Sequence, residues 1–339
     1  MIKHLLPAGL VLALTAGVAM AGDAVLVTPE NFTRAESDLF FGNVVRDAGL
    51  GKFQHRRTAM RIDDQFVVRG NRDTLYSVAV FDLDAGPVAI TMPDAGERFI
   101  SLQIIDEDQY IPDVFYKPGT YQLTRDGVGT RYVGVAVRIL INPDDPGDVN
   151  QATALQDAIR IDQRGGPGTW EVPAWDQTSQ TKVRDALLTL AETLPDTRNA
   201  FGRKGEVDPV LRLIQSAAAW GGNPDKDALY LSETPSGNDG NTAYKLTVKD
   251  VPVDGFWSIS VYNDKGYYVE NPLNAYNLNS ITAAKDADGG ITVQFGRCEK
   301  STKNCLPIMK GWNYMVRLYR PQQPILDGTW SFPKPEALR

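Results

Sequence analysis

The chain has 339 residues and a formal net charge of −7, with 35 Lys and Arg against 42 Asp and Glu. The basic residues are scattered along the chain, which excludes no fold but disfavours binding to nucleic acid or to an anionic membrane. The length fits two domains or one large all-β unit.

Residues 1–21 have the layout of a secretory signal peptide, which is removed from the mature protein. Lys3 supplies the positive charge, an apolar run extends from Leu5 to Val18, and Ala19-Met20-Ala21 is a small-residue cleavage site. The alternative is an uncleaved N-terminal anchor, but the apolar run is short for a membrane span. We expect an exported protein, periplasmic or secreted, that is cleaved after Ala21 and has no stable membrane insertion.

The two cysteines, Cys298 and Cys305, lie close together in the sequence. In an oxidising compartment such an even pair predicts a disulfide. The alternative is a metal or redox pair, but six intervening residues and no neighbouring histidine fit neither a zinc site nor a C-x-x-C motif.

The N-terminal half begins with a predicted helix and continues as short strands. Thr28-Pro29-Glu30 has the N-cap, first-turn proline and acidic residue of a helix start. Turn signals then separate apolar or alternating segments every ten or so residues, which indicates antiparallel sheets. The predicted strands are 66–68, 76–83, 88–92, 98–105 and 131–141.

The second half reads as helices followed by strands. Helices are predicted at 149–161, 181–194 and from Asp208-Pro209 to about residue 219, with a glycine-rich break at 165–168. Strands are predicted at 228–231, 243–248, 255–262, 290–295 and 312–319, and no internal repeat of fixed period is visible. We predict a signal peptide (1–21), an N-terminal β-rich domain (22–165), a helical connector (166–222) and a C-terminal β-rich domain (223–339).

The histidine count excludes more chemistry than any other feature. Beyond the signal peptide the chain has one histidine, His55, so a metal site built from two or three imidazoles is ruled out. A hydrolytic triad would need a serine, and no G-x-S-x-G motif supplies one. We therefore predict a surface role for His55. No dinucleotide-binding or phosphate-binding glycine motif is present either.

Polar residues are densest in the stretch 67–77, immediately before a predicted strand. Arg72 is a candidate to orient an anion or carbonyl, and Asp73, Tyr76 and Asp106 are candidates for proton transfer. On a strand Arg72 and Asp73 point to opposite faces. The alternative is a buried ion pair that holds two layers of the fold together.

Seven further residues are candidates for ligand binding, because they are polar groups beside strands or aromatic rings able to stack on a sugar. Core packing is the alternative for the aromatic residues among them. The acidic segment 106–108 with Asp113 has two other interpretations, a Ca²⁺ site or a solvated loop. We expect no other cofactor and no other metal. The seven residues are Asn71, Gln103, Tyr110, Trp220, Trp257, Tyr262 and Asn263.

The stretches 67–77 and 99–106 resemble the family called domain of unknown function 1254. The segments 255–263, 271–272 and 317–319 resemble its usual partner, domain of unknown function 1214. This resemblance implies a mainly β fold with helices (α+β), in which a helical segment joins two antiparallel, jelly-roll-like β-sandwich modules, and it implies a homo-oligomer. One departure is Cys305, where the family usually has tryptophan.

The resemblance supplies no activity, so two main hypotheses follow from the residues. One is an exported, metal-independent enzyme that acts on a small molecule or a glycan. The other is a periplasmic protein that binds a carbohydrate or another small ligand, or serves as a scaffold in the cell envelope. A third hypothesis is envelope assembly without any small ligand.

Overall fold

The computed structural model describes residues 24–65 and 67–338, and its strands form four sheets. The predicted signal peptide therefore lies outside the described residues. The described residues form mainly antiparallel sheets with helices, as predicted. The jelly-roll topology of each module stays a prediction. The helices are α1 (Phe32–Ala48), α2 (Arg125–Val128), α3 (Pro146–Ala158), α4 (Gln177–Ala191), α5 (Pro209–Ala218) and α6 (Gln323–Leu326).

Sixteen strands are described. They are β1 (Gln54–His55), β2 (Thr74–Asp82), β3 (Val88–Met92), β4 (Ile100–Asp106), β5 (Val114–Phe115), β6 (Gly119–Leu123), β7 (Tyr132–Leu140), β8 (Arg160–Asp162), β9 (Ala228–Glu233), β10 (Tyr244–Val248), β11 (Trp257–Tyr262), β12 (Asn277–Asn279), β13 (Ile291–Phe295), β14 (Cys305–Leu306), β15 (Asn313–Tyr319) and β16 (Glu336–Ala337).

The N-terminal module packs the sheet β1-β2-β7-β4-β5 against the sheet β6-β3-β8. Apolar side chains between them, such as Leu75, Ile90 and Val137, form the core. Helix α1 covers the other face of the larger sheet, so β4 and β7 are buried along their whole length. A Cβ added to Gly134 would lie 2.2 Å from the ring of Phe41, and the missing side chain therefore lets α1 approach the sheet.

The C-terminal module packs the sheet β12-β11-β15-β9 against the sheet β14-β13-β10-β16. Its core includes Trp312, Val316 and Val293. A disulfide joins Cys298 to Cys305 at the start of β14 and closes a short loop, which confirms the predicted pairing.

The two modules repeat the same four-strand arrangement, β2-β7-β4-β5 and β9-β15-β11-β12. In each, an arginine on one inner strand lies between a tyrosine on one neighbour and a serine on the other. The sequence spacing differs from strand to strand because the loops differ in length, so no fixed period reveals the repeat. The two sets are Tyr76–Arg138–Ser101 and Tyr230–Arg317–Ser258.

Three sequence-based boundaries need correction. Helix α1 begins at Phe32 rather than after Thr28, because the Asn31 side chain accepts a hydrogen bond from the Thr28 N–H and holds a turn there. Residues 67–68 lie in a turn rather than a strand, and Phe66 lies outside the described residues. Helix α3 ends at Ala158, and the chain then enters β8.

Helices α4 and α5 lie in the predicted connector and pack against α1 around Phe32, Leu187 and Ile214. The start of α5 is as predicted: Asp208 accepts hydrogen bonds from the first turn and Pro209 occupies its first position. The domain boundaries themselves stay predictions. In the part of the chain that the structure describes, no helix has the length and apolar character needed to cross a membrane.

Candidate functional site

A cavity of about 730 Å³ opens on the face of the larger N-terminal sheet that α1 covers. Its floor is apolar and comes from β2 and β7, and its walls include Phe40, Phe41 and Trp220. One end is polar, where Asn71, Tyr76 and other side chains of the 67–77 stretch meet Arg138. A volume of this size, apolar walls and a few convergent polar groups are typical of small-molecule sites.

Arg138 is the charged residue at the polar end of the cavity, and only 6% of its surface is exposed. Its Nη1 donates to Oε1 of Gln103 at 2.6 Å, and its Nη2 donates to the carbonyl of Gly221 at 3.3 Å. No salt bridge among the described residues includes it. Buried charges usually have a partner of opposite sign. Arg138 has no such partner among the described residues.

Tyr76 faces Arg138 across the sheet, with the guanidinium carbon 5.3 Å from the centre of the phenol ring. Nδ2 of Asn71 donates to the Tyr76 hydroxyl at 3.1 Å and to that of Tyr319 at 3.0 Å. Burial raises the pKa of Tyr76, but the Arg138 charge and the surrounding hydrogen bonds outweigh it, so the pKa of this phenol is lowered. Asn71 therefore joins the two phenols into one hydrogen-bonded group at the polar end.

The cavity is positively charged although the whole chain is acidic. Five arginines and two aspartates are among its lining residues. Arginines at the rim have carboxylate partners, as in the pairs Arg57–Asp157 and Arg61–Asp63. The remaining field at the inner end comes from Arg138 and favours an anion.

His55 is half-buried on β1 and lies on the wall of this cavity, and its predicted surface role stays a prediction. Its Nδ1 is 2.8 Å from Oγ of Ser77, which also accepts a hydrogen bond from Gln156. Burial, then the charge of Arg57, lowers the pKa of His55. Ser77 is completely buried, so this pair positions the wall and does not form a reachable nucleophile.

Arg72 and Asp73 do not line the cavity. Both precede β2 and lie between the two modules, rather than on opposite faces of a strand. The Arg72 guanidinium lies 5.1 Å from the ring centre of Tyr276. Oδ1 of the fully buried Asp73 accepts hydrogen bonds from Asn277 at 2.8 Å and Asn279 at 3.1 Å. The positions of Arg72 and Asp73 fit the alternative that these residues hold two layers of the fold together. They do not form an ion pair with each other.

Asp106 and Asn263 occupy equivalent turns after β4 and β11. In each, Oδ1 accepts backbone hydrogen bonds from the residues two and four positions later. Asp106 lines a separate cavity of about 420 Å³, together with Tyr110, whose ring packs on Arg212. Burial raises the pKa of Asp106 to about 7. The shared geometry assigns Asp106 and Asn263 to turn formation, away from Arg138.

The acidic segment after β4 is also not the solvated loop that the sequence suggested. Glu107 is buried, lies 3.5 Å from Arg34 and accepts a hydrogen bond from the Tyr132 N–H. Asp108 pairs with the same arginine at 2.8 Å. Both carboxylates therefore face Arg34. Residues 24–65 and 67–338 contain no cluster of three or more His, Cys, Asp or Glu side chains suited to a metal.

Of the aromatic residues predicted to bind a ligand, one lies in the cavity and two lie in the core. Trp220 lines the cavity and stacks on Phe40 with ring centres 4.4 Å apart. Trp257 is buried against Phe332 in the C-terminal core, and Tyr262 is completely buried. Their positions therefore exclude Trp257 and Tyr262 from an open stacking surface.

We predict that Asp106→Asn stabilises the protein at pH 8 by about 2 kcal/mol and has little effect near pH 4. The folded-state pKa of Asp106, about 7, is above the ordinary value of 3.8. The folded state therefore holds an extra proton between these values, and wild-type stability falls as pH rises through this window. Asparagine keeps the Oδ1 acceptor, as Asn263 does. Urea unfolding at both pH values measures the difference, and an equal effect at pH 4 and pH 8 would contradict it.

Arg138 was the main residue that sequence reasoning missed. A signal was present, because it is the single charged residue in the otherwise apolar strand β7. A charged side chain within a fully buried strand needs a polar environment. Gln103, a predicted site residue, supplies part of this polar environment. Its Oε1 accepts the hydrogen bond from Arg138, and its Nε2 donates to the carbonyl of Gly222 at 2.8 Å.

Residues 50–163 match the family described as protein of unknown function (DUF1254), and residues 229–323 match protein of unknown function (DUF1214). The chain therefore contains both domains in this order. No curated protein matches the chain at a significant level.

Two solved structures are similar to the chain. The VPA0106 protein from Vibrio parahaemolyticus is 18% identical, with a TM-score of 0.71 over 92% of this chain and 98% of its own. An uncharacterised protein from Burkholderia cenocepacia is 13% identical, with a TM-score of 0.50 over 91% of this chain and 87% of its own. At these identities the likeness shows the fold alone.

Proposed function

We propose that the protein binds a small organic anion with an apolar body in the 730 Å³ cavity. The observation that carries this proposal is Arg138, a buried guanidinium without a carboxylate partner among the described residues, at the polar end of an apolar space. The anionic oxygen would accept hydrogen bonds from Arg138, and the apolar body would lie against Phe40, Phe41 and Trp220. This binding requires no metal or cofactor.

Catalysis is the second candidate, and the environment of Tyr76 favours it. A phenol with a lowered pKa beside an arginine is able to give or take a proton at an oxygen held by that arginine. Tyr76 would then be the catalytic residue, and the enzyme would act on the small molecule that occupies the cavity. Tyr76→Phe would separate the candidates, because it would keep binding and lose turnover.

The alternative of carbohydrate binding or a scaffold role in jelly-roll-like modules has less support. It relied on Trp220, Trp257 and Tyr262, and only Trp220 lines the cavity, because Trp257 and Tyr262 are buried. Export to the periplasm or beyond is part of the proposal, and the disulfide between Cys298 and Cys305 supports it because oxidising compartments preserve such bonds. A homo-oligomer is also proposed, and the family resemblance supports it.

The test is a set of thermal unfolding measurements with matched ligands. Benzoate and hexanoate are expected to raise the melting temperature, whereas benzyl alcohol, 1-hexanol and common monosaccharides are not. A ligand at 100 times its Kd stabilises by about 2.7 kcal/mol. Asp106→Asn, whose side chain lies outside the cavity, should respond as the wild type does. Stabilisation by sugars but by no anion would contradict the proposal.

A further inference from the structure

The C-terminal module contains a filled counterpart of the Arg138 site. Arg317 occupies the same register position on β15 that Arg138 has on β7. Its Nη1 donates to Oγ of Ser260 at 2.9 Å, as Arg138 Nη1 donates to Gln103, and Ser260 and Gln103 hold equivalent positions on β11 and β4. Each guanidinium therefore donates to the side chain at the same position of the neighbouring strand, β11 or β4.

The equivalence extends across the contact between the modules. Arg317 donates to the carbonyls of Arg69 and Gly70, in the loop that leads into β2. Arg138 donates to the carbonyl of Gly221, in the segment that leads into β9. Each arginine thus donates to backbone from the loop that precedes the tyrosine-bearing strand, β2 or β9, of the other module, so the contacts of the two sites are reciprocal.

The sites differ most in the residue two positions further along the same strand. Tyr262, on β11, donates its hydroxyl to the Gly70 carbonyl and accepts a hydrogen bond from Arg317 Nη2 at 2.8 Å. Its phenol ring is completely buried. The equivalent residue on β4 is Ile105, whose side chain lines the cavity and carries no oxygen. Ile105 and Arg138 both line the cavity, whereas at the equivalent position in the C-terminal module the Tyr262 phenol is hydrogen-bonded to Arg317.

We infer that the ligand of the cavity is a phenol, whose ring replaces the missing tyrosine at position 105 and whose oxygen accepts a hydrogen bond from Arg138. This inference rests on the proposed function and narrows its ligand class to a phenol that ionises beside the guanidinium. The cavity is larger than one ring, so a substituent on the phenol extends between Phe40, Trp220 and the rim.

Binding of three matched aromatic probes tests this assignment. 4-Nitrophenol is expected to bind at least about tenfold more tightly than 4-nitrotoluene, which lacks the oxygen, and to show the absorbance of its phenolate when bound at a pH where it is partly protonated in solution. Binding of 4-nitrobenzoate without binding of 4-nitrophenol would overturn the inference and leave the proposed function standing. If no anion binds at all, both fail.

Two variants test the correspondence of positions 105 and 262. Ile105→Tyr is expected to fold and to lose 4-nitrophenol binding by at least about tenfold, because the new side chain occupies the ligand's place. Unchanged binding in the folded variant would overturn the inference.

Tyr262→Ala removes the phenol beside Arg317, so this variant should bind two equivalents of 4-methylphenol where the wild type binds one. A single equivalent would count against the inference even if Ile105→Tyr did not fold.

Discussion

Asp73→Ala is expected to lower the free energy of unfolding by about 3 kcal/mol. The carboxyl group is completely buried between the modules, where Asn277 and Asn279 donate to Oδ1. Burial raises its pKa, and the charge of Arg317 opposes that shift. Alanine would leave two amide groups without their acceptor and would remove a carboxyl group whose charge interacts with the buried Arg317. Urea unfolding monitored by tryptophan fluorescence measures the loss.

Asp73→Asn is the matched control for this prediction. It keeps the shape of the side chain and one oxygen acceptor, so it should be less destabilising than alanine. Binding of benzoate to the cavity should survive in the folded fraction of both variants, because Asp73 does not line it. An Asp73→Ala protein as stable as the wild type would show that the buried carboxyl does not hold the modules together.

The second large effect is expected for Arg138→Met, which should weaken binding of an organic anion by on the order of 100-fold. Methionine has a similar length and keeps the apolar contacts, but it supplies neither the charge nor the N–H donors. Gln103 loses its 2.6 Å partner, so a smaller loss of stability accompanies the loss of binding. Isothermal titration with benzoate measures the affinity directly.

Arg57→Met is the control for charge at the cavity. Arg57 lines the rim but pairs with Asp157 at 2.6 Å, so its removal should change the affinity by less than about threefold. Equal losses in the two variants would indicate a general field rather than a defined anion position. An Arg138→Met protein with wild-type affinity would remove the basis of the proposed function.

The alternation of short apolar segments and turns was sufficient to predict most strands, because burial of one or both faces dictates such patterns. The strand 131–141 and the helix that begins at Asp208-Pro209 were predicted nearly to the residue. The start of α1 was not, because Thr28-Pro29-Glu30 has the local chemistry of a helix start while the Asn31 side chain forms a turn with Thr28. Local propensity alone does not decide between these two hydrogen-bonding patterns.

The candidate site was predicted only in part. Asn71, Tyr76 and Trp220 line the cavity, and Gln103 supports its arginine. Asp73 and Tyr76 are three residues apart in the sequence but lie in different places, because Tyr76 lines the cavity and Asp73 contacts the C-terminal module. Asp106 has the residue type of a catalytic acid, but only the three-dimensional match to Asn263 identifies its place in a turn.

The crossed carbonyl contacts of Arg138 and Arg317 also bear on how the protein unfolds. Each guanidinium donates to a backbone carbonyl that the opposite half of the chain contributes. Separating the halves would therefore expose two charged groups and their acceptors at once, which penalises any intermediate with one half folded. The cavity likewise depends on both halves of the chain, because an isolated N-terminal half would lack Gly221 and Trp220 from its wall.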